Sequence, residues 1–353
     1  MADPGLPEAV ARSVAANVAH DLNRLSGSEP VEWVVEVSRE TMPLTAQNEI
    51  PLVEHAPALR REHDWDYVIY LTDLPRSQGE NSIVCEVDIP GRSALISLPA
   101  LGAVRVSSRT RKVLRELIRS MQQEVSGHSS AVASHRGFGR KRWRRIQRED
   151  ATESYDVVLT GPFSRPRLLT GMVRSNRPVR LLPALSSCMA TAVATGGFGI
   201  FYASIWNMSD ALSTPRMAMI SIFVVAAFSI WLIIHNNLWA PIRGAYDHTK
   251  TGLDNVATVI TVGVGVALMY LVLWGILLAV TLAVVNAEYL ASDVGHPVNL
   301  LDYLDIAWLA SALGMMGGAM GSNFDSESAI REATYTRREH VRRQLAEAEE
   351  KQE

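Results

Sequence analysis

The residues best placed to do chemistry in the polar half of the chain lie in the motif LTDLPR, which spans residues 71–76. Asp73 offers a carboxylate and Arg76 a guanidinium, directly after an apolar run, and Ser97 adds a hydroxyl at the end of another. Because ligands of open α/β sheets bind outside the carboxyl ends of strands, these three residues are a candidate pocket. The alternative is that Asp73 and Pro75 form the turn that stops the strand, since both are ordinary turn residues.

Other motifs that carry chemistry are missing from the polar half. His55 and His63 are eight residues apart, so they lack the i,i+4 spacing of an HExxH zinc helix. No phosphate-binding glycine loop, GxGxxG or serine elbow occurs there. Cys85 and Cys188 are too few and too differently placed for a disulfide framework. The sequence therefore predicts no catalytic residue, no metal site and no cofactor.

Alternating and continuous apolar runs predict the elements that would position Asp73 and its neighbours. Strands are predicted at Val31–Ser38, Asp66–Asp73, Ile83–Val87 and Ala94–Leu98. Two helices with apolar faces flank them, and the order predicts an α/β (or α+β) cytoplasmic domain over residues 1–126 with a mixed sheet. The pattern leaves open whether residues 154–161 join this sheet. The apolar faces comprise Val10, Val14, Val18, Leu22 and Leu25 in the first helix, and Val113, Leu114, Leu117, Ile118 and Met121 in the second.

The second half of the chain contains long apolar segments near or above the ~20 residues that cross a bilayer as a helix. They predict an all-α, four-helix transmembrane bundle over residues 181–322. The third segment exceeds one perpendicular crossing but has no room for two, so we interpret it as one long or tilted helix. The predicted spans are residues 181–206, 217–235, 256–285 and 303–321.

Lys and Arg residues predict the orientation of these spans, because short loops that carry them stay in the cytoplasm. They cluster before the first span, between the second and third, and after the fourth, whereas the loop between the third and fourth is acidic. This pattern predicts a multipass membrane protein with the N-terminus and C-terminus both cytoplasmic. The basic residues are Arg165, Arg167, Arg174, Arg177, Arg180, Arg243, Lys250, Arg331, Arg337, Arg338, Arg342 and Arg343, and the acidic ones are Glu288, Asp293, Asp302 and Asp305.

Residues 127–180 are predicted to form a basic linker and an interfacial segment. Cations interleaved with an aromatic residue favour contact with anionic lipid headgroups of the bilayer, where each cation contributes about 1 kcal/mol. A topology signal or plain solvation is the alternative, and nucleic-acid binding through phosphates is disfavoured. The residues predicted to contact lipid are Arg140, Lys141, Arg142, Trp143, Arg144 and Arg145.

The fourth span contains two overlapping GxxxG pairs, Gly314 with Gly318 and Gly317 with Gly321. Such pairs let helix backbones approach closely. We interpret them as packing within the bundle, with a homo-oligomer or membrane-protein partner as the alternative. Residues 323–353 follow as a charged cytoplasmic helical tail.

Several segments carry a wider likeness: WDYVIYLTDLP, SLPALG, RLLTGMVRSNRP, HNNLW and GGAMGSNFDSESAIREATYTRR. Together they resemble a family of actinobacterial four-helix membrane proteins whose function is unassigned. The likeness covers the chain from about Trp65 to Arg338. It implies the plasma membrane of a high-GC Gram-positive bacterium and an N-terminal cytoplasmic α/β domain, and it implies no activity.

These observations favour a non-enzymatic membrane-anchored binding, scaffold or regulatory protein with a cytoplasmic domain that binds a ligand or partner. A transporter or channel subunit is the first alternative, with its path among the small-residue faces of the spans. The second alternative is a membrane-bound enzyme that uses the LTDLP pocket, which requires convergent polar groups around Asp73.

Overall fold

The computed structural model describes residues 1–25, 32–45, 50–78, 81–125, 143–147, 154–240 and 248–335. They fall into two compact units, divided between Ser175 and Asn176. The first unit is an α/β domain, and the described residues of the second form helices and their connections. The predicted order, an α/β domain followed by a helical region, is confirmed.

A mixed six-stranded sheet forms the centre of the first unit. Its strands are β1 (Val68–Thr72), β2 (Ser77–Gln78), β3 (Asn81–Asp88), β4 (Ser93–Ser97), β5 (Trp143–Gln147) and β6 (Ser154–Leu159). The main order is β1-β4-β3-β6-β5, and β2 pairs with β3. β1 and β4 are parallel, whereas the other pairs are antiparallel. β1 is therefore at one edge of the main order and β5 at the other.

Four helices accompany the sheet: α1 (Leu6–Leu25), α2 (Leu52–His63), α3 (Val106–Val125) and α4 (Ser164–Asn176). α1 and α3 pack against each other, and the described part of each predicted apolar face is buried. Beside this contact Arg111 donates two hydrogen bonds to Asp21, at 2.7 and 2.6 Å. Burial of the apolar faces explains why the 3.6-residue period predicted both helices correctly.

The sheet extends beyond residue 126, where the sequence analysis had placed the end of the α/β domain. Residues 143–147, assigned by sequence to a basic linker, form β5, and residues 154–159, left open by sequence, form β6. β6 is buried along its length, which its apolar residues Val157 and Val158 explain. β5 is an edge strand rich in charge, a composition that protects sheet edges from wrong pairing.

Residues 32–38, part of the predicted strand Val31–Ser38, are extended but have no ladder of strand pairs. Their side chains alternate between exposed and half-buried over residues 32–37, so the predicted period is present. An isolated parallel bridge joins the next residue, Arg39, to Ala2, and Ala2 is bridged in turn to Leu71 of β1. The short N-terminal segment thus lies between β1 and this extended segment.

The second unit begins with four helices that lead into and form the apolar part of the chain: α5 (Leu181–Ala184), α6 (Ser186–Ile200), α7 (Ala203–Ala211) and α8 (Thr214–His235). Four more follow: α9 (His248–Val284), α10 (Ala287–Val294), α11 (Leu300–Gly321) and α12 (Glu327–Thr334). Polar residues cap the termini of several of these helices. Asn299 and Asp302, for example, form a capping box at the start of α11.

Among the described residues, three helices are long and apolar enough to cross a membrane, within Thr214–His235, Thr251–Val284 and Leu300–Gly321. The apolar segment ending at Ile200 belongs to a helix pair bent by 58° near Leu185, and it gives a fourth span if the pair crosses as one. The predicted third span is one continuous helix of 37 residues. At ~1.5 Å per residue it exceeds a ~30 Å hydrocarbon core, so it extends beyond the core or tilts within it.

The four GxxxG glycines of α11 lie against α6. A Cβ atom on Gly314 would lie 2.6 Å from the Ala192 carbonyl oxygen, and one on Gly318 would lie 2.9 Å from the Ala192 Cβ. Gly317 and Gly321 are equally close to Thr195 and Thr191. Within the described residues these glycines therefore serve helix packing inside one chain.

Candidate functional site

The three residues of the predicted pocket, Asp73, Arg76 and Ser97, lie at or just beyond the carboxyl ends of β1 and β4. β1 and β4 are parallel with Thr72 opposite Ser97, so Asp73 and Ser97 are at neighbouring strand ends. The Ser97 hydroxyl donates a hydrogen bond to the Leu74 carbonyl oxygen at 2.8 Å. The Leu74 amide donates to the Thr72 hydroxyl at 3.1 Å. These bonds fix the LTDLP segment as a turn.

Asp73 and Arg76 have different surroundings from those an open pocket requires. Asp73 is buried, with 5 % of its surface exposed. Arg76 points to β3, where its Nε lies 2.6 Å from a carboxylate oxygen of Glu86. Ser97 is hydrogen bonded to the turn and Arg76 to Glu86 of β3, so contacts within the fold explain the positions of both side chains.

The basic run predicted to contact lipid is only partly described. Arg140, Lys141 and Arg142 lie outside the described residues, whereas Trp143, Arg144 and Arg145 belong to β5. The Arg145 guanidinium lies 3.4 Å from the centre of the Tyr155 ring, and it donates to the Ser120 hydroxyl at 3.1 Å. Burial raises the pKa of Tyr155 and the Arg145 charge opposes that rise. Arg145 therefore packs within the domain, whereas Arg144 is exposed.

A cleft of about 630 Å³ runs along the outer edge of β1. We call it the edge cleft. β1 forms one side and the extended residues 32–37 form the other. α1 and α3 supply an apolar floor, composed of Ala11, Val14, Ala15, Val18, Leu22, Leu114 and Ile118. The sequence predicted α1, α3 and β1, whereas residues 32–38 of the predicted strand Val31–Ser38 form no strand in the structure, and the space between these elements was not predicted.

One hydrogen bond and one aromatic contact join the sides of the edge cleft. The Trp65 indole nitrogen donates to a Glu36 carboxylate oxygen at 2.8 Å, and His63, on the same side as Trp65, stacks on its ring with centroids 4.2 Å apart. Trp33 and Tyr67 meet with centroids 5.8 Å apart. These contacts hold residues 32–37 at a fixed distance from β1.

Carboxylates outnumber cations around the edge cleft. Its described lining includes the exposed acids Glu32, Glu36, Asp64 and Asp66, with Arg92 as the guanidinium. Charges arranged this way favour a cationic ligand. The described residues that line the cleft include no serine, threonine, cysteine or lysine.

Asp210, His296 and Asp302 form the one group among the described residues whose His, Cys, Asp or Glu ligand atoms lie close enough to hold a metal ion. Their ligand atoms lie within 4.8 Å of one another. The His296 Nε2 and the Asp210 Oδ1 are hydrogen bonded at 2.9 Å. Asp302 accepts a bond from the Asn299 amide at 2.6 Å as part of the helix cap. The fold thus explains all three side chains without an ion.

Asp210→Asn is expected to lower the pKa of His296, because the Asp210 carboxylate is the main cause that raises it. A raised histidine pKa means that the pair stabilises the fold below the ordinary histidine pKa and loses this effect as pH rises through the raised value. An NMR titration of the histidine ring protons of the full chain in detergent micelles measures the change. Asp293→Asn, which removes a carboxylate bonded to Asn207, is the control and should leave the His296 pKa in place. An unaltered His296 titration in Asp210→Asn contradicts the pairing.

Comparisons with known proteins assign neither a family nor a function to this chain. The chain matches no protein-family model, no curated protein and no solved structure. The function must therefore be argued from the chain's own residues.

Proposed function

We propose that the protein is a membrane-anchored binding protein whose α/β domain binds a partner in the edge cleft. The cleft carries the proposal, because it joins an apolar floor, a strand edge and an acidic mouth in about 630 Å³. A volume of this size is typical of a binding pocket. The helical unit acts as the membrane anchor, supported by its three long apolar helices.

The packing of the helical unit favours an anchor over a transport path. α6 and α11 approach through glycines, and an apolar core of buried side chains connects α6, α8, α9 and α11. The polar side chains Ser221, Tyr270 and Trp308 are hydrogen bonded to one another, at 2.9 Å for Ser221 with Tyr270 and 2.6 Å for Trp308 with Ser221. A transport route instead requires polar groups that face an open path.

The charge pattern supports the proposed orientation. Lys and Arg flank the apolar helices on the side of both termini, so we place the α/β domain and the C-terminus in the cytoplasm and the anchor in the plasma membrane. We also propose that the exposed Arg144 and the neighbouring cations Arg140, Lys141 and Arg142 contact anionic headgroups. The composition of the basic run supports this contact, and Arg145 is excluded from it because it packs on Tyr155.

A cleft-filling variant tests the binding function. Ala15 lines the edge cleft, whereas Ala16 is exposed beside it on α1. The intact protein, Ala15→Trp and Ala16→Trp are each purified in mild detergent, and co-purifying proteins are measured by mass spectrometry. We expect a partner that is retained by the intact protein and by Ala16→Trp but lost from Ala15→Trp. If every co-purifying protein is retained equally by Ala15→Trp and Ala16→Trp, the cleft is not the binding site and the proposal fails.

A further inference from the structure

The first three residues of the chain already behave as a short strand at one end of the edge cleft. The Leu71 amide donates to the Met1 carbonyl oxygen at 3.1 Å, and the Asp3 amide donates to the Leu71 carbonyl oxygen at 3.0 Å. On the other side, the Ala2 amide donates to the Ser38 carbonyl oxygen at 3.0 Å. Residues 1–3 are thus paired in parallel with β1 and with the extended segment.

A buried contact fixes this short strand. Tyr70 donates to a carboxylate oxygen of Asp3 at 2.6 Å, and Asp3 is fully buried. Because Asp3 is buried and hydrogen bonded, residues 1–3 set the direction and position of any strand that continues from them into the edge cleft.

The path continues into the edge cleft beyond Met1. Successive residues of a strand direct their backbone N–H and C=O groups alternately to the neighbouring strand on one side and on the other. The Val68 amide donates a hydrogen bond to the Arg92 carbonyl oxygen, so Val68 faces β4. Tyr67 and Ile69 therefore direct their backbone groups toward the cleft, and the Met1 ammonium donates to the Ile69 carbonyl oxygen at 3.0 Å. Within the described residues, no backbone hydrogen bond joins residues 34–37 to β1. The two sides present strand edges to each other with a space between them.

At the end of the cleft, where Ala2 lies, the separation of the two sides matches one intervening strand. Ala2 pairs with both sides, so they are separated there by two strand spacings, ~9.6 Å. A strand residue in a packed sheet occupies about 160 Å³, from a rise of ~3.3 Å, a spacing of ~4.8 Å and a layer thickness of ~10 Å. The cleft volume of about 630 Å³ therefore corresponds to roughly four residues.

We propose that the edge cleft receives an extended, Lys- or Arg-bearing peptide segment of a partner protein, as a parallel strand between β1 and residues 32–37. Main-chain bonds to a strand edge supply affinity in this mode of recognition, and alternate side chains supply specificity. The apolar floor accepts side chains on one face, and the acids Glu36, Asp64 and Asp66 at the mouth accept cations on the other. The inference rests on the proposed binding function and names the chemistry of its partner.

A tethered strand tests the inference without knowledge of the partner. The sequence Met-Lys-Val-Lys-Val (the valine extension) is added directly before Met1 of the full chain. By the register of Ala2 with Leu71, the two valines lie on the face of the apolar floor, and the two lysines lie where the backbone faces β1. The control (the proline extension) carries proline at both lysine positions, which removes the amides that would donate to β1. Hydrogen exchange is followed by mass spectrometry in peptides that cover residues 66–71 and, as an internal reference, residues 81–88.

We expect the valine extension to slow exchange over residues 66–71 by about tenfold or more, because new backbone bonds protect these amides. The proline extension should leave exchange as in the intact protein, and residues 81–88 should be unchanged in both. Equal exchange over residues 66–71 in the two extensions overturns the inference.

Partner retention separates the two proposals. The valine extension should displace the partner that Ala15→Trp loses, and the proline extension should retain it. If the valine extension protects β1 but the partner stays bound, the partner is not an inserted strand and this inference is overturned, whereas the binding function stands. If Ala15→Trp and Ala16→Trp retain the same proteins, the binding function itself fails.

Discussion

Gly314→Leu is expected to prevent the helical unit from assembling. A Cβ atom at this position would lie 2.6 Å from the Ala192 carbonyl oxygen, and backbone cannot turn aside as a flexible side chain can. Overpacking of a close helix contact costs on the order of 3 kcal/mol, and more where backbone must separate. Size-exclusion chromatography of the detergent-solubilised full chain and its thermal unfolding temperature measure the loss. We expect aggregation or a strongly lowered unfolding temperature.

Gly275→Leu is the matched control for this prediction. Gly275 lies in the long helix α9, and a Cβ atom there has no heavy atom within 4 Å. The two variants add the same side chain to an apolar helix, so their difference isolates the α6–α11 contact. If Gly314→Leu unfolds at the same temperature as Gly275→Leu, the close packing of α11 on α6 is contradicted.

Arg76→Ala is expected to destabilise the α/β domain by about 3 kcal/mol, because removing one member of a largely buried ion pair leaves the remaining charge poorly solvated. Arg76 and Glu86 are separated by 2.6 Å, and their side chains are only 14 % and 11 % exposed. Hydrogen exchange of the full chain, read over residues 68–72 and 81–88, measures the effect as faster exchange in β1 and β3.

Two further variants make this prediction specific. Arg76→Leu combined with Glu86→Leu removes both charges and should recover much of the lost stability, because no buried charge remains. Arg12→Ala removes an arginine whose pair with Glu8 is 66 % exposed on the arginine side, and it should change stability by less than ~1 kcal/mol. Equal destabilisation by Arg12→Ala and Arg76→Ala contradicts the assignment of a buried pair.

The sequence predicted those elements whose burial follows a simple period. α1 and α3 each bury one face, so apolar residues recur every three or four positions. β4 is buried along its length and β1 at four of its five residues, so their sequences are mostly apolar runs without alternation. β5 was mistaken for a linker because an edge strand needs few apolar residues and its basic side chains resemble a solvated segment. Arg145 also showed no sign in sequence of its contact with Tyr155.

The candidate site depends on contacts that no local pattern records. The sequence predicted residues 31–38 as a strand because apolar and polar side chains alternate. The alternation of burial is present over residues 32–37. A two-residue period, however, indicates only which face of a segment is buried and not which strand lies beside it. The neighbour is residues 1–3, held through the bond between Tyr70 and Asp3, 67 residues apart in sequence. Among the described residues, residues 1–3 pair with one end of β1, and the edge cleft lies beside the rest of the strand.

The most direct test of the binding role is photo-crosslinking from inside the edge cleft in intact membranes. A photoreactive residue replaces Val35, which lines the cleft, and in a separate chain replaces Val53, which is 48 % exposed on α2. We predict that Val35 yields a defined adduct with a short Lys- or Arg-bearing segment of one partner, absent from the Val53 chain and abolished by Ala15→Trp but not by Ala16→Trp. Adducts that are the same from both positions, or that persist in Ala15→Trp, contradict the account.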